Sequence, residues 1–168
     1  MIPDREEFVE DLKGSYATYY DVVPADGETE LPLAFRADFH SRGERFFLVK
    51  KAKIWAAETN EYVYVYSAPS FTQEDIQACC DYAWGEGLKN VEPHSEHNYS
   101  NVHVIFVADE ISEGARKAVC SQKQYKSYKM SLHGFSMMKT GYIDLSCAQY
   151  GTNKQGHDLE KFFKKLFP

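Results

Sequence analysis

An almost entirely apolar stretch, NVHVIFVA at residues 101–108, limits the architecture of this chain more than any other segment. Its length and its valine, isoleucine and phenylalanine content predict a β-strand. Because successive side chains of a strand point to opposite faces of a sheet, such a continuous run indicates burial on both faces. The run is far too short to cross a bilayer. We therefore expect a central strand in a sheet that is flanked by helices.

The N-terminal segment predicts an amphipathic helix. Apolar and aromatic side chains recur at intervals of four, four and three residues, which places them on one helical face (Phe8, Leu12, Tyr16 and Tyr19). Asp4 stands where an N-cap is expected. An acidic loop, VVPADGETELP, is predicted to follow this helix.

The segment FTQEDIQACCDYAWGEG, residues 71–87, carries the clearest helix signals in the chain. Thr72 is a suitable N-cap, and Asp75 lies three residues later at the capping-box position. Gly85 or Gly87 is expected to end the helix. Two more helices are predicted, one beginning at an Asp109 cap and one in the terminal segment DLEKFFKKLF.

Segments rich in aromatic and β-branched residues predict the remaining strands. These are LAFRADFH, then ERFFLVKKAKIWAAE and EYVYVYS as a hairpin turning at Thr59-Asn60, and later YKSYKMSLHGF and MKTGYIDLS. The predicted order is α-β-β-β-α-β-α-β-β-α. This order indicates one α+β domain over residues 1–168, with a mixed β-sheet and flanking helices.

The composition is that of an ordinary globular protein. The 168 residues are 43% hydrophobic and 26% charged, with a net charge of −6. The four cysteines form no CxxC pair, and the N-terminus MIPDREEF has no apolar core of a secretory signal. These features predict a reduced, cytoplasmic protein that is not inserted in a membrane.

Four residues before and within the central strand are candidate metal ligands, namely His94, Glu96, His97 and His103. Imidazole and carboxylate groups bind transition metals, but the spacing HSEH matches no HExxH helix. The H-x-E of zinc deaminases also occurs here, without the later P-C-x-x-C that it requires. A solvated loop leading into the strand explains the same residues, so we expect no cofactor and keep a transition metal as the alternative.

Charge is distributed unevenly along the chain. Residues 114–143 contain no acidic residue but hold six basic ones. Alternation along a strand there would place Lys129, Ser131, His133 and Phe135 on one face and Tyr128, Met130 and Leu132 on the other. A face of lysine and aromatic side chains can bind a ligand, and the candidate binding residues of this strand region are Lys126, Tyr128, Lys129, His133 and Phe135. An anionic ligand or an acidic protein surface fits such a face. Nucleic acid is disfavoured by the net charge of −6, and lysines that merely protect an edge strand are the structural alternative.

Three phrases, ERFFLVKKAKIWAAETNEYVYVY, YKSYKMSLHGFS and YIDLSCAQYGTNKQGHDLEKFF, together resemble a family of uncharacterised bacterial proteins. The resemblance implies a bacterial, cytoplasmic origin, and the family has no assigned activity to carry over to this chain. The element order is also similar to restriction-endonuclease-like nucleases, whose chemistry needs two carboxylates and a lysine around a metal. Glu58 and Glu61 flank the predicted turn, but Val63 stands where the D/E-x-K motif requires lysine.

Two functions remain open from the sequence. One is a ligand- or partner-binding module that uses the basic and aromatic strand face. The aromatic surface could equally be covered by a second copy of the chain in a homo-oligomer. The other is a metal-dependent hydrolase or nuclease-like enzyme. The residues alone do not decide whether the chain is an enzyme, because no catalytic motif is complete.

Overall fold

The apolar strand lies at the centre of a mixed sheet, as predicted. A computed structural model describes residues 2–45 and 55–167, with side chains for residues 2–41 and 58–167. Within these ranges the strands are β1 Asp21–Pro24, β2 Leu33–Arg45, β3 Trp55–Ala68, β4 His97–Ala108, β5 Tyr125–Ser127, β6 Phe135–Asp144 and β7 Gln149–Thr152. The helices are α1 Arg5–Ala17, α2 Gln73–Lys89, α3 Glu113–Cys120 and α4 His157–Leu166, with a 3₁₀ turn at Lys154–Gly156.

The strand order across the sheet is β1-β2-β3-β4-β6-β5, and β7 also pairs with β6. β4 runs parallel to both of its neighbours, β3 and β6. The remaining strand pairs are antiparallel. Parallel neighbours require long crossover connections, which α2 and α3 supply. The predicted α+β class with a mixed sheet and flanking helices is confirmed.

Helices cover both faces of this sheet and divide the core in two. On one face, which we call the α2/α3 face, Tyr64, Val104 and Phe106 pack with residues of α2 and α3. On the other, the α1/α4 face, Val65 and Ile105 pack with residues of α1 and α4. From Thr59 in β3 and Tyr99 in β4 onward, even-numbered residues therefore point to the first face and odd-numbered residues to the second. The pairing register shifts before these positions, and His97 lies with Ser100 on the first face.

The predicted helix starts are partly confirmed. Asp4 caps α1, and Thr72 and Asp75 form both hydrogen bonds of a capping box at α2. The predicted cap of the third helix is wrong, because Ser112 accepts the capping bond. Asp109 instead pairs with Arg5, at 3.2 Å.

The predicted end of α2 is also wrong, because both glycines remain inside the helix. Gly87 serves packing rather than termination. A Cβ atom there would lie 2.5 Å from a methyl group of Val102, so the absent side chain lets α2 approach β4 closely. The face predicted for α1 ends early, and Tyr19 is 79% exposed because the helix stops at Ala17.

The predicted hairpin turn is wrong. Thr59 and Asn60 lie inside β3, where they pair with Ser41 and His40 of β2. The middle of the predicted strand ERFFLVKKAKIWAAE, residues 46–54, lies outside the described residues. Residues 21–24 form the short edge strand β1 at the start of the predicted acidic loop. Its two valines pair with β2, a long-range contact that local composition does not indicate.

The predicted strand through residues 126–135 is interrupted. β5 ends at Ser127, and a turn leads to β6 at Phe135. Lys129, Met130 and Ser131 all have positive φ angles, between 50° and 70°, which no strand allows. The alternation of faces expected for this segment therefore does not apply.

Candidate functional site

Three ionisable side chains from distant parts of the chain meet on the α1/α4 face, namely Glu61, His103 and Asp158. Strand pairing explains the first two. His103 of β4 lies directly opposite Val63 of β3, so Glu61, two residues earlier, is its diagonal neighbour on the same face. Asp158 comes from the first turn of α4. We call this group the Glu61–His103–Asp158 cluster.

Close seating of α4 on the sheet brings Asp158 within reach of the strands. Gly141 of β6 has no side chain to keep Phe163 of α4 away, and a Cβ atom there would lie 2.5 Å from the ring. Phe163 and Leu159 are buried against the sheet. One potential ligand atom from each member of the cluster lies within 4.8 Å of the others.

His103 is the unusual member of the cluster. It is 3% exposed, and its Nε2 atom is the one buried side-chain nitrogen or oxygen, among the described side chains, without a hydrogen-bond partner. Oε1 of Glu61 lies 4.0 Å from that atom, too far for a hydrogen bond. Burial lowers the pKa of His103, so the neutral imidazole, with a free lone pair, is favoured. A buried polar atom left unpaired costs about 1 to 3 kcal/mol.

Glu61 is held in place from the opposite side. The Tyr20 hydroxyl donates a hydrogen bond to its Oε2 atom. Burial and this bond raise the pKa of Tyr20, so the phenol keeps its proton. The Tyr16 ring packs edge-on against Tyr20, with ring centroids 5.0 Å apart. Glu61 therefore presents Oε1, and not Oε2, toward His103.

Asp158 is paired with a lysine of the sheet. Nζ of Lys139 lies 2.8 Å from Oδ2 of Asp158. Burial opposes ionisation of Asp158, but the bond and the charge of Lys139 outweigh it and lower the pKa of the carboxyl. Lys139 lies directly opposite His103 in the pairing of β4 and β6. Its side chain is only 14% exposed, so its charge acts within the cluster.

The cluster lies in a cavity of about 360 Å³ between α1, α4 and the sheet, which we call the α1/α4 pocket. Its lining is aromatic and polar: Ser15, Tyr16, Tyr19, Tyr20, Glu61, His103, Asp158, Leu159, Phe162 and Lys165. Concave sites with apolar walls and a few converging polar groups are typical of ligand binding.

A second polar group lies on the α2/α3 face, directly behind the cluster, and it is fully bonded. Asn60 donates to Oγ of Ser100 at 3.0 Å and accepts from Nδ1 of His40 at 2.8 Å. Ser100 also contacts Nε2 of His97 at 2.7 Å, while Nδ1 of His97 donates to the carbonyl of His133 at 2.7 Å. We call Asn60, Ser100, His97 and their partners the Asn60 network.

The carboxylate of Glu58 joins the Asn60 network at its surface end. It accepts from Asn60 at 3.2 Å and contacts Nε2 of His94. Burial opposes its ionisation, but these two hydrogen bonds outweigh burial and lower the pKa of Glu58.

The four residues first considered as metal ligands do not come together. His94 and His97 are neighbours, with ring centroids 6.3 Å apart, and they belong to the Asn60 network. The Glu96 backbone N–H donates to His94. His103 points to the opposite face, because strand alternation separates it from Ser100. The predicted grouping is wrong for that reason, although His103 itself belongs to a candidate site.

The predicted basic and aromatic residues are also placed differently from the expected strand face. Lys126 lies over the ring of Tyr128, 5.7 Å from its centroid, and the Tyr128 hydroxyl bonds Ser136. Phe135 stacks between Tyr99 and Tyr125.

The charges of this segment are partly neutralised. Three of its six basic residues form ion pairs: Arg116 with Asp144, Lys117 with Glu113 and Lys139 with Asp158. Among the described residues Lys123, Lys126 and Lys129 form none, and His133 is half-buried within the turn.

A larger depression, of about 780 Å³, lies between α2 and α3. Its lining includes Gln73, Lys117 and Cys120, and most of these side chains are exposed. No unpaired buried polar atom of a described side chain faces it. We therefore place the candidate site in the smaller α1/α4 pocket.

Sequence reasoning found two members of the cluster and missed Asp158 and Lys139. The sequence pattern indicates a turn beside Glu61, whereas β3 continues through this position from Trp55 to Ala68. The available signal was weak: Asp158 opens a strongly amphipathic terminal helix, and His103 is a polar residue in an otherwise apolar strand. Their convergence depends on contacts between residues 42 to 97 positions apart in the chain.

Comparison with known proteins agrees with the resemblance noted in the sequence. Residues 4–165 match a family model described as a domain of unknown function, DUF8052. No curated protein and no solved structure matches the chain. None of the described helices is long and apolar enough to cross a membrane. Since the match covers nearly all of the chain, the prediction of an uncharacterised family is confirmed, and the chain belongs to the DUF8052 family.

Proposed function

We propose that this chain binds a divalent transition metal ion through Glu61, His103 and Asp158. The observation that carries the proposal is the buried Nε2 atom of His103, which has no partner and lies 4.0 Å from Oε1 of Glu61. A metal ion between these atoms would satisfy both. Ligand atoms on a tetrahedral ion lie about 3.3 Å apart, given bonds of about 2.0 Å, so the two side chains would close by less than about 1 Å.

The donor set favours a particular class of metal. One imidazole nitrogen with two carboxylate oxygens suits Zn²⁺, Mn²⁺ or Fe²⁺, whereas Ca²⁺ and Mg²⁺ prefer oxygen ligands alone. The hydrogen bond from Tyr20 to Glu61 has the role of an outer-shell partner that orients a ligand. The amine of Lys139 would hold Asp158 in the same way.

The test is metal binding by the purified chain after treatment with a chelator. Titration with Zn²⁺, followed by calorimetry, should give one ion per chain, and Co²⁺ should give the visible absorption of an ordered site. Outer-shell substitutions cost about 10- to 100-fold in metal affinity, so His103→Gln, which removes a ligand, should cost about 100-fold or more. Glu61→Gln is the second variant, in case His103→Gln does not fold.

His94→Gln is the matched control, because it removes a histidine of the sequence-predicted cluster and leaves the Glu61–His103–Asp158 cluster intact. It should bind Zn²⁺ as the unchanged chain does. Equal affinity in the unchanged chain and in folded His103→Gln would overturn the proposal. So would loss of binding in His94→Gln alone.

A second candidate function is the binding of an anionic ligand or an acidic protein surface by the turn between β5 and β6. It is supported by Lys126 and Lys129, which form no ion pair with a described residue, and by Met130 and Leu132, which are 93% and 72% exposed. The stacking of Phe135 between two tyrosines weighs against base stacking there. Binding of a fluorescent polyglutamate should weaken in Lys126→Glu/Lys129→Glu and stay unchanged in Lys164→Glu.

A location in the bacterial cytoplasm remains a prediction from the sequence and the family resemblance. It is compatible with either function.

A further inference from the structure

The α1/α4 pocket extends beyond the three groups that would hold the metal. Its remaining wall is formed by the rings of Tyr16, Tyr19 and Phe162 together with Ser15 and Lys165. Structural zinc sites are closed by four protein ligands, whereas catalytic sites have three and leave one position for water or substrate. Among the described side chains, three potential ligands converge here. This arrangement corresponds to an open site that faces a cavity.

The charge of the site indicates the sign of its ligand. A divalent ion, the carboxylates of Glu61 and Asp158, and the ammonium of Lys139 together carry one net positive charge. Lys165 adds a further cation at the exposed rim of the pocket. A partly enclosed site with a net positive charge attracts an anion, because solvent and salt screen charges in such a site only weakly.

The size and walls of the pocket indicate the rest of the ligand. Its volume of about 360 Å³ lies near the lower end of the range for small-molecule sites, about 300 to 1,000 Å³. Tyr19 is 79% exposed and stands at the rim, where its ring offers a surface to an apolar group. A small molecule with an anionic head and an apolar body fits these features better than a polymer does.

From these observations, and on the basis of the metal binding proposed above, we propose that the chain hydrolyses phosphate esters of small organic alcohols in the α1/α4 pocket. Glu61, His103 and Asp158 would hold the ion, which would supply a water of lowered pKa that loses a proton to solvent. The resulting hydroxide forms a new P–O bond while the P–O bond to the alcohol breaks. The leaving oxygen takes a proton from solvent, so the products are the alcohol and inorganic phosphate.

Lys139 has a separate role from the ligands in this scheme. Its ammonium lies 2.8 Å from the carboxylate of Asp158, which lines the pocket, and from behind that carboxylate it would neutralise charge on the phosphate as the transition state forms. Lys139 is partly buried and paired with Asp158, which separates this role from general attraction by surface lysines. Lys165, at the rim of the pocket, would strengthen substrate binding by attracting the anionic head.

The experiment measures release of p-nitrophenol from p-nitrophenyl phosphate by the full chain loaded with Zn²⁺, Mn²⁺ or Co²⁺. Removing one preorganised group that stabilises transition-state charge costs about 100- to 1,000-fold in kcat, so Lys139→Met should lower kcat by about that factor. Lys139→Met also removes an outer-shell partner of Asp158 and should lower the Zn²⁺ affinity by about 10- to 100-fold, so kcat is compared at saturating Zn²⁺. Lys165→Met should raise KM, and Lys123→Met, an exposed lysine elsewhere, should change neither constant.

Companion substrates separate the alternatives. Hydrolysis of bis(p-nitrophenyl) phosphate as well would support the inference and extend it to diesters. Hydrolysis of p-nitrophenyl acetate without either phosphate ester would overturn it, as would activity that survives in folded Lys139→Met. A chain that binds one metal ion and hydrolyses no phosphate ester would refute this inference and leave the metal site standing. A chain that binds no metal would refute both.

Discussion

The two faces of the sheet carry similar buried polar residues at neighbouring positions. On one face these side chains are fully hydrogen-bonded, and on the other one of them is unpaired. On the α2/α3 face, Asn60, Ser100 and His97 are buried and fully hydrogen-bonded. On the α1/α4 face, His103 is equally buried, and its Nε2 atom is unpaired. A single step along β3, from Asn60 to Glu61, separates the two groups.

The contrast distinguishes a structural polar network from a candidate binding site. Buried polar groups that bond one another fix the packing of the elements that carry them. A buried group without a partner destabilises the fold unless something else binds it. The Asn60 network is therefore complete without a ligand, whereas the Glu61–His103–Asp158 cluster is not. The sequence alone indicated histidines of both groups, His94 and His97 together with His103, and did not separate them.

The largest effect is expected from breaking the Asn60 network. Asn60→Leu keeps a similar volume but removes three hydrogen bonds, those to His40, Ser100 and Glu58. At about 1 kcal/mol for each bond, the free energy of unfolding should fall by about 3 kcal/mol. Urea denaturation measures this change. A loss below about 1 kcal/mol would show that the network does not stabilise the fold and would remove the contrast between the faces.

A smaller effect is expected at Asp144, a second buried group that is fully bonded. Its carboxylate accepts from Arg116 at 2.6 Å, from the backbone of Ile111 at 3.1 Å and from the hydroxyl of Ser146 at 2.6 Å. Burial opposes its ionisation, but these bonds outweigh burial and lower its pKa. Asp144→Asn should cost about 2 kcal/mol at pH 7, since bonds to a charged group are lost.

The pH dependence follows from the direction of that shift. Because the pKa of Asp144 is lower in the folded state, its contribution is present above the unfolded value of about 3.9 and is lost as the pH falls through the folded pKa. The difference in urea midpoint between the unchanged chain and Asp144→Asn should therefore be constant from pH 7 to 5 and shrink below about pH 4. A constant difference down to pH 3 would contradict this assignment.

The smallest change in the free energy of unfolding is expected for a substitution of His103 in the metal-free chain. Its sign is opposite to that of the two changes above. His103→Phe removes the unpaired nitrogen and keeps an aromatic ring, so the metal-free chain should be unchanged or more stable by about 1 kcal/mol. The matched variant His97→Phe breaks two hydrogen bonds and should destabilise the fold. Urea denaturation in a chelator compares them. Equal destabilisation by both variants would show that His103 is a structural residue like His97.

Much of the fold could be predicted because its signals are local. The capping box at Thr72 and Asp75 and the burial of Val104 through Val107 depend on neighbouring residues, and both are confirmed. The prediction of a turn at Thr59-Asn60 is wrong, because polar residues inside a strand resemble a turn when the partner strands are unknown. The prediction of a continuous strand through residues 126–135 is wrong, because three consecutive residues adopt positive φ angles. Their residue types, lysine, methionine and serine, do not indicate that conformation.

The sequence by itself determined the α+β class, the doubly covered central strand and membership of an uncharacterised family. It also placed the apolar surface that drives folding, since hydrophobic periodicity is written into neighbouring residues. Only the tertiary structure decided which polar residues meet. Strand pairing set Glu61 beside His103, and the absent side chain of Gly141 let α4 bring Asp158 to them. Pairing register and close packing depend on residues far apart in the chain, and for that reason they separated His103 from His94 and His97 and assigned it to a different site.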